Sequence, residues 1–376
     1  IRLLQTMNII HYNPTGDSII AEYIDTLCKS MEGRIVCRCA NSINHLNEEL
    51  SKEKADIINI HGCWHRSVGK VYALARQYHT RIVLTPHGDI EPWVMARANV
   101  ISSLLIPQKL RLFATSYATI VMGKMEREAV ERYKANKRVE TIACSLFTSA
   151  TTDEEMAQKT ISIYQKVLDS NVTEIMDNET HDAITILCKT AITADTRWTS
   201  EEEAAIVRNL TTQQWRQIEL YGFLTHTLKH IARGARILGT TMPECNPETI
   251  AIYPPKRQDN GTNDYVTLLT LTTDNAGLHT PTSIVEAFGK IIRKIQKNKI
   301  GILDIVNLTD MLYKLKTDED ELRYLLDDRQ MTKWARRLMA LVTTSFKLPE
   351  GFLVVPTLYD RTTKKIFRQL SSQLKI

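Results

Sequence analysis

Asp56-Ile57-Ile58-Asn59-Ile60-His61-Gly62 and Arg81-Ile82-Val83-Leu84-Thr85-Pro86-His87-Gly88 decide the fold. Each is a short β-branched run with no helical period, stopped by a glycine. That is how a strand of a parallel sheet, covered on both faces, looks in sequence. Between them Val71, Leu74, Ala75 and Tyr78 fall on one face of a predicted helix, which completes a β-α-β unit. Ligands of such sheets sit beyond the carboxyl ends of the strands, where both His-Gly pairs fall. His61, Gly62, His87 and Gly88 are therefore the first candidates for a functional site.

Upstream, residues 7–11 form a short apolar strand followed by the turn Asn13-Pro14-Thr15-Gly16. Asp17 and Ser18 are placed to cap a helix with Ile20, Tyr23, Ile24, Leu27 and Met31 on one face. Gly16 would let the backbone approach a ligand at that helix's N-terminus, where amides favour an anion; a plain tight turn is the simpler role. Further strands are expected at 34–39, 118–122 and 139–143. Helices are expected at 44–54 and 124–133, the latter with Met125, Ala129 and Tyr133 inward. Six strands alternating with helices predict an α/β, Rossmann-like doubly wound parallel sheet over residues 1–150.

The formal charge of +5 over 376 residues allows an anionic partner without selecting one. Seven cysteines show no Cys-x-x-Cys spacing; Cys37 and Cys39 are read as pointing to opposite faces of their strand, against a pair. Reduced thiols, no apolar run of membrane-spanning length and no signal-peptide pattern together predict a cytoplasmic protein. His61, Cys63, His65 and His87 suggest a metal site on paper. Gly62 and the strand end argue for a loop rather than the shared helical face that spacing needs, so no metal is expected.

Asp-Ile-Ile-x-Ile-His-Gly, followed by Val-Leu-Thr-Pro-His-Gly-Asp-Ile-Glu-Pro-Trp over 83–93, resembles the N-terminal domain of family 4-like glycosyltransferases of the GT-B fold. That family continues with a strand-Ser-x-x-Glu unit. Here it reads Ile120-Val121-Met122-Gly123-Lys124-Met125-Glu126, with Gly123 in place of the Ser. At the hinge, Cys144-Ser145-Leu146 stands where the family has Asn-Pro or Asn-Gly. The resemblance covers about residues 7–150. It implies that His87 contacts the transferred sugar near the reacting carbon and that Gly16 lies near the donor phosphates. It also implies that His61, Trp64, Glu91 and Trp93 line the acceptor side. Asp89 and Glu91 are either acceptors for sugar hydroxyls or solvated loop charges, and Asp17 can serve likewise beside its default role as N-cap. A nucleotide-sugar and a glycan or lipid-linked acceptor are the implied partners, and no cofactor or metal is needed, because positive side chains and helix termini handle the leaving diphosphate.

The remainder departs from that template. No two glutamates lie eight positions apart anywhere in the chain, and no Gly-rich loop follows Ala150. A helical region is expected over 151–245, with start signals at Thr151-Thr152-Asp153-Glu154-Glu155 and Thr199-Ser200-Glu201-Glu202-Glu203 and a long helix over 213–238. Pro247, Pro254, Pro255, Asn260-Gly261 and Pro281 mark 246–282 as an irregular connector, with 266–271 its one strand-like stretch. A second helical region is expected over 283–376, with helices at 283–297, 305–315, 318–343 and 362–374. Trp198 and Trp215 faintly resemble the tryptophan spacing of Myb/SANT helices, but residues 211–224 hold one Arg and no Lys, so nucleic acid is not an expected partner. The basic runs at 293–297 and 364–368 suit solvated helix faces or the anionic inner face of a membrane. Two functions follow: a sugar transferase, or an inactive transferase-derived scaffold with a protein partner.

Overall fold

All six expected strands pair into one parallel sheet: β1 (Met7–Tyr12), β2 (Ile35–Ala40), β3 (Ile57–His61), β4 (Arg81–Thr85), β5 (Ala118–Val121) and β6 (Val139–Thr141). Their order is β2-β1-β3-β4-β5-β6. The direction of winding reverses between β1 and β3, which opens a crevice above their carboxyl ends. The computed structural model describes residues 7–96, 106–107, 110–111, 113–243, 250–253, 280–315 and 319–373. It divides into two compact units, Ile1–Ser170 with Glu248–Tyr253, and Asn171–Pro247 with Pro254–Ile376.

Alternation along the strands sorts the first unit's side chains into two layers. Ile10, Tyr12, Ile58, Ile60, Ile82 and Leu84 face one side. They pack with Leu46 and Leu50 of α2 (Ile43–Lys52), Val71 and Ala75 of α3 (Val68–Gln77), and Ala129 and Val130 of α5 (Lys124–Arg132), the short α4 (Pro92–Ala96) intervening in the chain. His11, Asn59, His61 and Thr85 face the other side, under α1 (Ser18–Ser30) and α6 (Asp153–Asp169). Polar groups in that layer satisfy one another: the Asn59 amide donates to the Tyr164 hydroxyl at 2.8 Å and accepts from the Thr85 hydroxyl at 3.0 Å.

Four expectations are corrected within this unit. The unit extends past residue 150, because α6 buries Met156, Thr160, Tyr164 and Val167 on the sheet. Residues 250–253 belong to it as well: Tyr253 donates its amide to Ser170 Oγ at 2.8 Å, and the Lys166 ammonium lies 4.2 Å from its ring centre. Met125 is exposed, and Glu126 takes the inward position. Cys37 and Cys39 do not point to opposite faces of β2. Two residues apart on one strand they share a face, and the Cys37 thiol lies there within 4.8 Å of the Cys28 thiol of α1.

The second unit is helical throughout its described residues: α7 (Asn178–Thr193), α8 (Glu201–Arg208), α9 (Thr212–Leu224), α10 (Leu228–Ile237), α11 (Pro281–Gln296), α12 (Ile302–Tyr313), α13 (Glu319–Asp328), α14 (Thr332–Phe346) and α15 (Arg361–Gln373). Ile218, Ile284, Phe288, Leu338 and Leu341 are among its buried core residues, and Trp215 joins them. Two helices expected to be continuous are broken. His226 (φ 59°) separates α9 from α10, and Gln330 (φ 54°) separates α13 from α14. Helix α7 falls within the expected helical region of 151–245, although no individual helix is expected over its residues. Most of the expected connector, including 266–271, lies outside the described residues. No helix among the described residues is long and apolar enough to cross a membrane.

Candidate functional site

Three strands and the loops after them build the site at the carboxyl rim of the sheet. Strand β1 carries His11, β3 ends in His61, and His87 follows β4 after Pro86. Register sets their spacing: His11 lies opposite Asn59 and His61 opposite Thr85, so His61 stands one step closer to the rim than His11. The imidazoles form a ladder. His11 Nδ1 is 2.9 Å from His61 Nε2, and His61 Nδ1 is 2.8 Å from His87 Nε2. Each contact needs one shared proton. In three neutral rings all protons therefore point the same way along the chain.

Burial keeps the His61 and His87 rings neutral. His61 is fully buried, and its pKa is held well below the ordinary imidazole value first by desolvation and then by its two neighbours. For His87, desolvation lowers the pKa to about 4, with Asp17 opposing. Tyr23 of α1 closes the ladder from the side, its ring edge-on 5.1 Å from His87 and 5.9 Å from His61. Its phenol is pushed above the ordinary range chiefly by burial, so it stays protonated.

The rim loop is held by two carboxylates, buried Glu126 and half-buried Asp89, rather than by regular structure. Glu126, near the start of α5, accepts the Gly88 amide at 2.6 Å and the Met122 amide at 2.9 Å. Its carboxyl is raised by burial, which those two amides oppose. Asp89 Oδ2 accepts the Cys63 amide at 2.7 Å, and the Asp89 carbonyl accepts the Trp64 indole N–H at 2.5 Å. Those bonds tie the loop after β3 to the loop after β4. His87 itself has φ 53°, a left-handed conformation uncommon outside glycine and a mark of a constrained site. Gly62 at φ 80° is required by backbone, and a Cβ there would lie 3.4 Å from Asp89 Oδ2.

The sequence-predicted residues divide into three groups. His61, Gly62, His87 and Gly88 come together as expected. His61 is no surface contact, however: both its nitrogens face other imidazoles, so it acts on a ligand only through His87. Asp17 is exposed and caps α1, accepting the Ile19 amide at 2.8 Å and the Ile20 amide at 3.2 Å, yet lies close enough to act electrostatically on His87. Gly16 has φ 68° and open space around it, so its turn conformation alone calls for glycine. Trp64 and Asp89 brace the loops, Glu91 is half-buried with its carboxyl raised by desolvation, and Trp93 is exposed. The paper metal set does not form: His65 is exposed and bonds Ser67 Oγ, while His61 is occupied by its neighbours. Sequence reasoning missed His11, Tyr23 and the clamping role of Glu126. A histidine inside an apolar strand was the available signal for the first.

No family model, curated protein or solved structure matches the chain. The functional reading therefore rests on this geometry and on the residues that carry the resemblance.

Proposed function

We propose that this chain is a glycosyltransferase-like protein whose parallel-sheet unit holds a nucleotide-sugar or its acceptor at the rim, with His87 facing the sugar. One observation carries the reading: the ladder of His11, His61 and His87 ends at the rim in a neutral ring on a clamped, left-handed loop. Nε2 of His87 is taken by His61, which leaves Nδ1 for a ligand. A neutral imidazole gives or takes one hydrogen bond from a sugar hydroxyl without introducing a charge, as suits positioning beside a developing oxocarbenium ion. Glu91, whose carboxyl lies beside Gly88, is placed to accept a further hydroxyl, while Asp17 is spent on capping α1 through the Ile19 and Ile20 amides.

A second reading, a transferase-derived scaffold without turnover, is favoured by the second unit. Among its described residues it offers helices and no strand, and the chain lacks the paired glutamates of the family's donor domain. Titration calorimetry of the full chain with UDP- and GDP-hexoses tests the shared claim. Binding that falls at least tenfold in His87→Asn supports it; no binding, or binding indifferent to that change, sinks it. Release of UDP or GDP from a bound donor then separates enzyme from scaffold.

A further inference from the structure

The inner end of the imidazole ladder faces thiols. Strand β2 is an edge strand, and its register with β1 sets Ile9 opposite Cys37 and His11 opposite Cys39. Helix α1 lies over this face and lowers Cys28 onto it. One donor atom each from His11, Cys28 and Cys37 lies within 4.8 Å of the others. His11 is fully buried; Nδ1 is spent on His61, and Nε2 has no hydrogen-bond partner. A buried imidazole nitrogen left without a partner is costly, and its ring lies beside two sulfurs.

We propose that His11, Cys28 and Cys37 form a binding site for a zinc-type metal ion, with Cys39 as the fourth donor. Thiolate and imidazole are the donors that select a borderline-soft ion with tetrahedral geometry. Metal–sulfur bonds of about 2.3 Å set tetrahedral S···S distances near ~3.8 Å. The cluster would thus close by about 1 Å or less from its 4.8 Å limit, within the reach of side-chain rotation. Cys39 shares the strand face of Cys37 and lies opposite His11 in the register. The site has an entry path, since Cys28 and Cys37 are half-buried and Cys39 is exposed at the sheet edge. It also has an outer shell: a metal-bound histidine characteristically donates its other N–H to a fixed acceptor, and His61 Nε2 stands 2.9 Å from His11 Nδ1. A Cys28–Cys37 disulfide, the competing use of these thiols, would leave Nε2 of His11 unpartnered.

Metal at Nε2 would fix the direction of every proton in the ladder. His11 Nδ1–H then donates to His61 Nε2, and His61 Nδ1–H donates to His87 Nε2. His87 is left with its proton on Nδ1, a donor at the rim. The metal site stands without the sugar-binding reading, and its test does not use sugar.

Reduced full-length protein is titrated with Co2+ as an optical probe and then with Zn2+. The expected result is thiolate-to-cobalt charge-transfer absorption that saturates at one equivalent and is erased by Zn2+. Cys37→Ser and Cys28→Ser should each weaken Co2+ binding about tenfold or more, the lower end of what even outer-shell losses cost. Cys188→Ala, in the second unit, should leave it unchanged. The proposal is overturned if reduced protein with native circular dichroism gives no charge-transfer absorption. It is equally overturned if both serine variants retain full affinity, or if the Cys188 change alone abolishes binding.

Discussion

Lowering the pH from 7 to 4 should destabilise the sheet unit through His87 by a predictable amount. Its ring is held near 4 in the folded protein against an ordinary 6.5, chiefly by burial. The folded state therefore binds this proton less readily than the unfolded chain does. Stability is complete above pH 6.5 and falls as the pH drops toward 4, where the unfolded chain gains the proton and the folded one does not. The gap is about 2.5 pH units, which at about 1.36 kcal/mol each gives about 3 kcal/mol. His61, lowered in the same direction, adds to the fall. Urea denaturation at pH 7, 6, 5 and 4, followed by Trp64 and Trp93 fluorescence, measures the effect. His87→Asn is the reference, because asparagine tolerates φ near 53° and does not titrate. Between pH 7 and 4 the unsubstituted protein should lose about 3 kcal/mol more than the variant. Parallel pH profiles for the two proteins, or a His87 ring titrating near 6.5 by NMR, would refute the reasoning.

Other expectations follow from single contacts. Glu126→Gln puts an amide where the Gly88 and Met122 N–H groups both need an acceptor, so the urea midpoint should fall by about 1–3 kcal/mol of stability. Gly234→Ala should disrupt the second unit, because the added Cβ would lie 2.0 Å from the Leu187 carbonyl oxygen. A loss of about 3 kcal/mol or more is expected where rigid backbone blocks relaxation, read by calorimetry. Tyr253→Ala should loosen residues 250–253 and speed hydrogen exchange at the Tyr253 amide, which Ser170 now protects.

Much of the sheet was legible because apolar, β-branched runs ending in Gly have few alternatives, and both His-Gly strands landed as expected. Helix starts were equally plain: Thr152 with Glu155 and Ser200 with Glu203 form reciprocal caps, as their spacing implied. The misreadings have local causes. His226 and Gln330 end helices in the left-handed conformation without the glycine that usually signals it. Helix α7, Asn-Glu-Thr-His-Asp-Ala-Ile-Thr-Ile-Leu-Cys-Lys-Thr-Ala-Ile-Thr, is rich in β-branched residues and carries its helicity through burial rather than propensity. Helix α6 joins the sheet through Tyr164 and Asn59, a polar contact that periodicity does not encode. Within the site, strand ends revealed His61 and His87. His11 and Glu126 stayed hidden because their roles depend on register and on amides distant in sequence.

The most direct test of the account is the 15N spectrum of the histidine side chains at pH 7, before and after addition of a UDP- or GDP-hexose. The account predicts neutral rings at His61 and His87, with ligand shifting the His87 Nδ1 resonance and sparing His181. A charged His87 ring at pH 7, or ligand that perturbs neither ring, would contradict it.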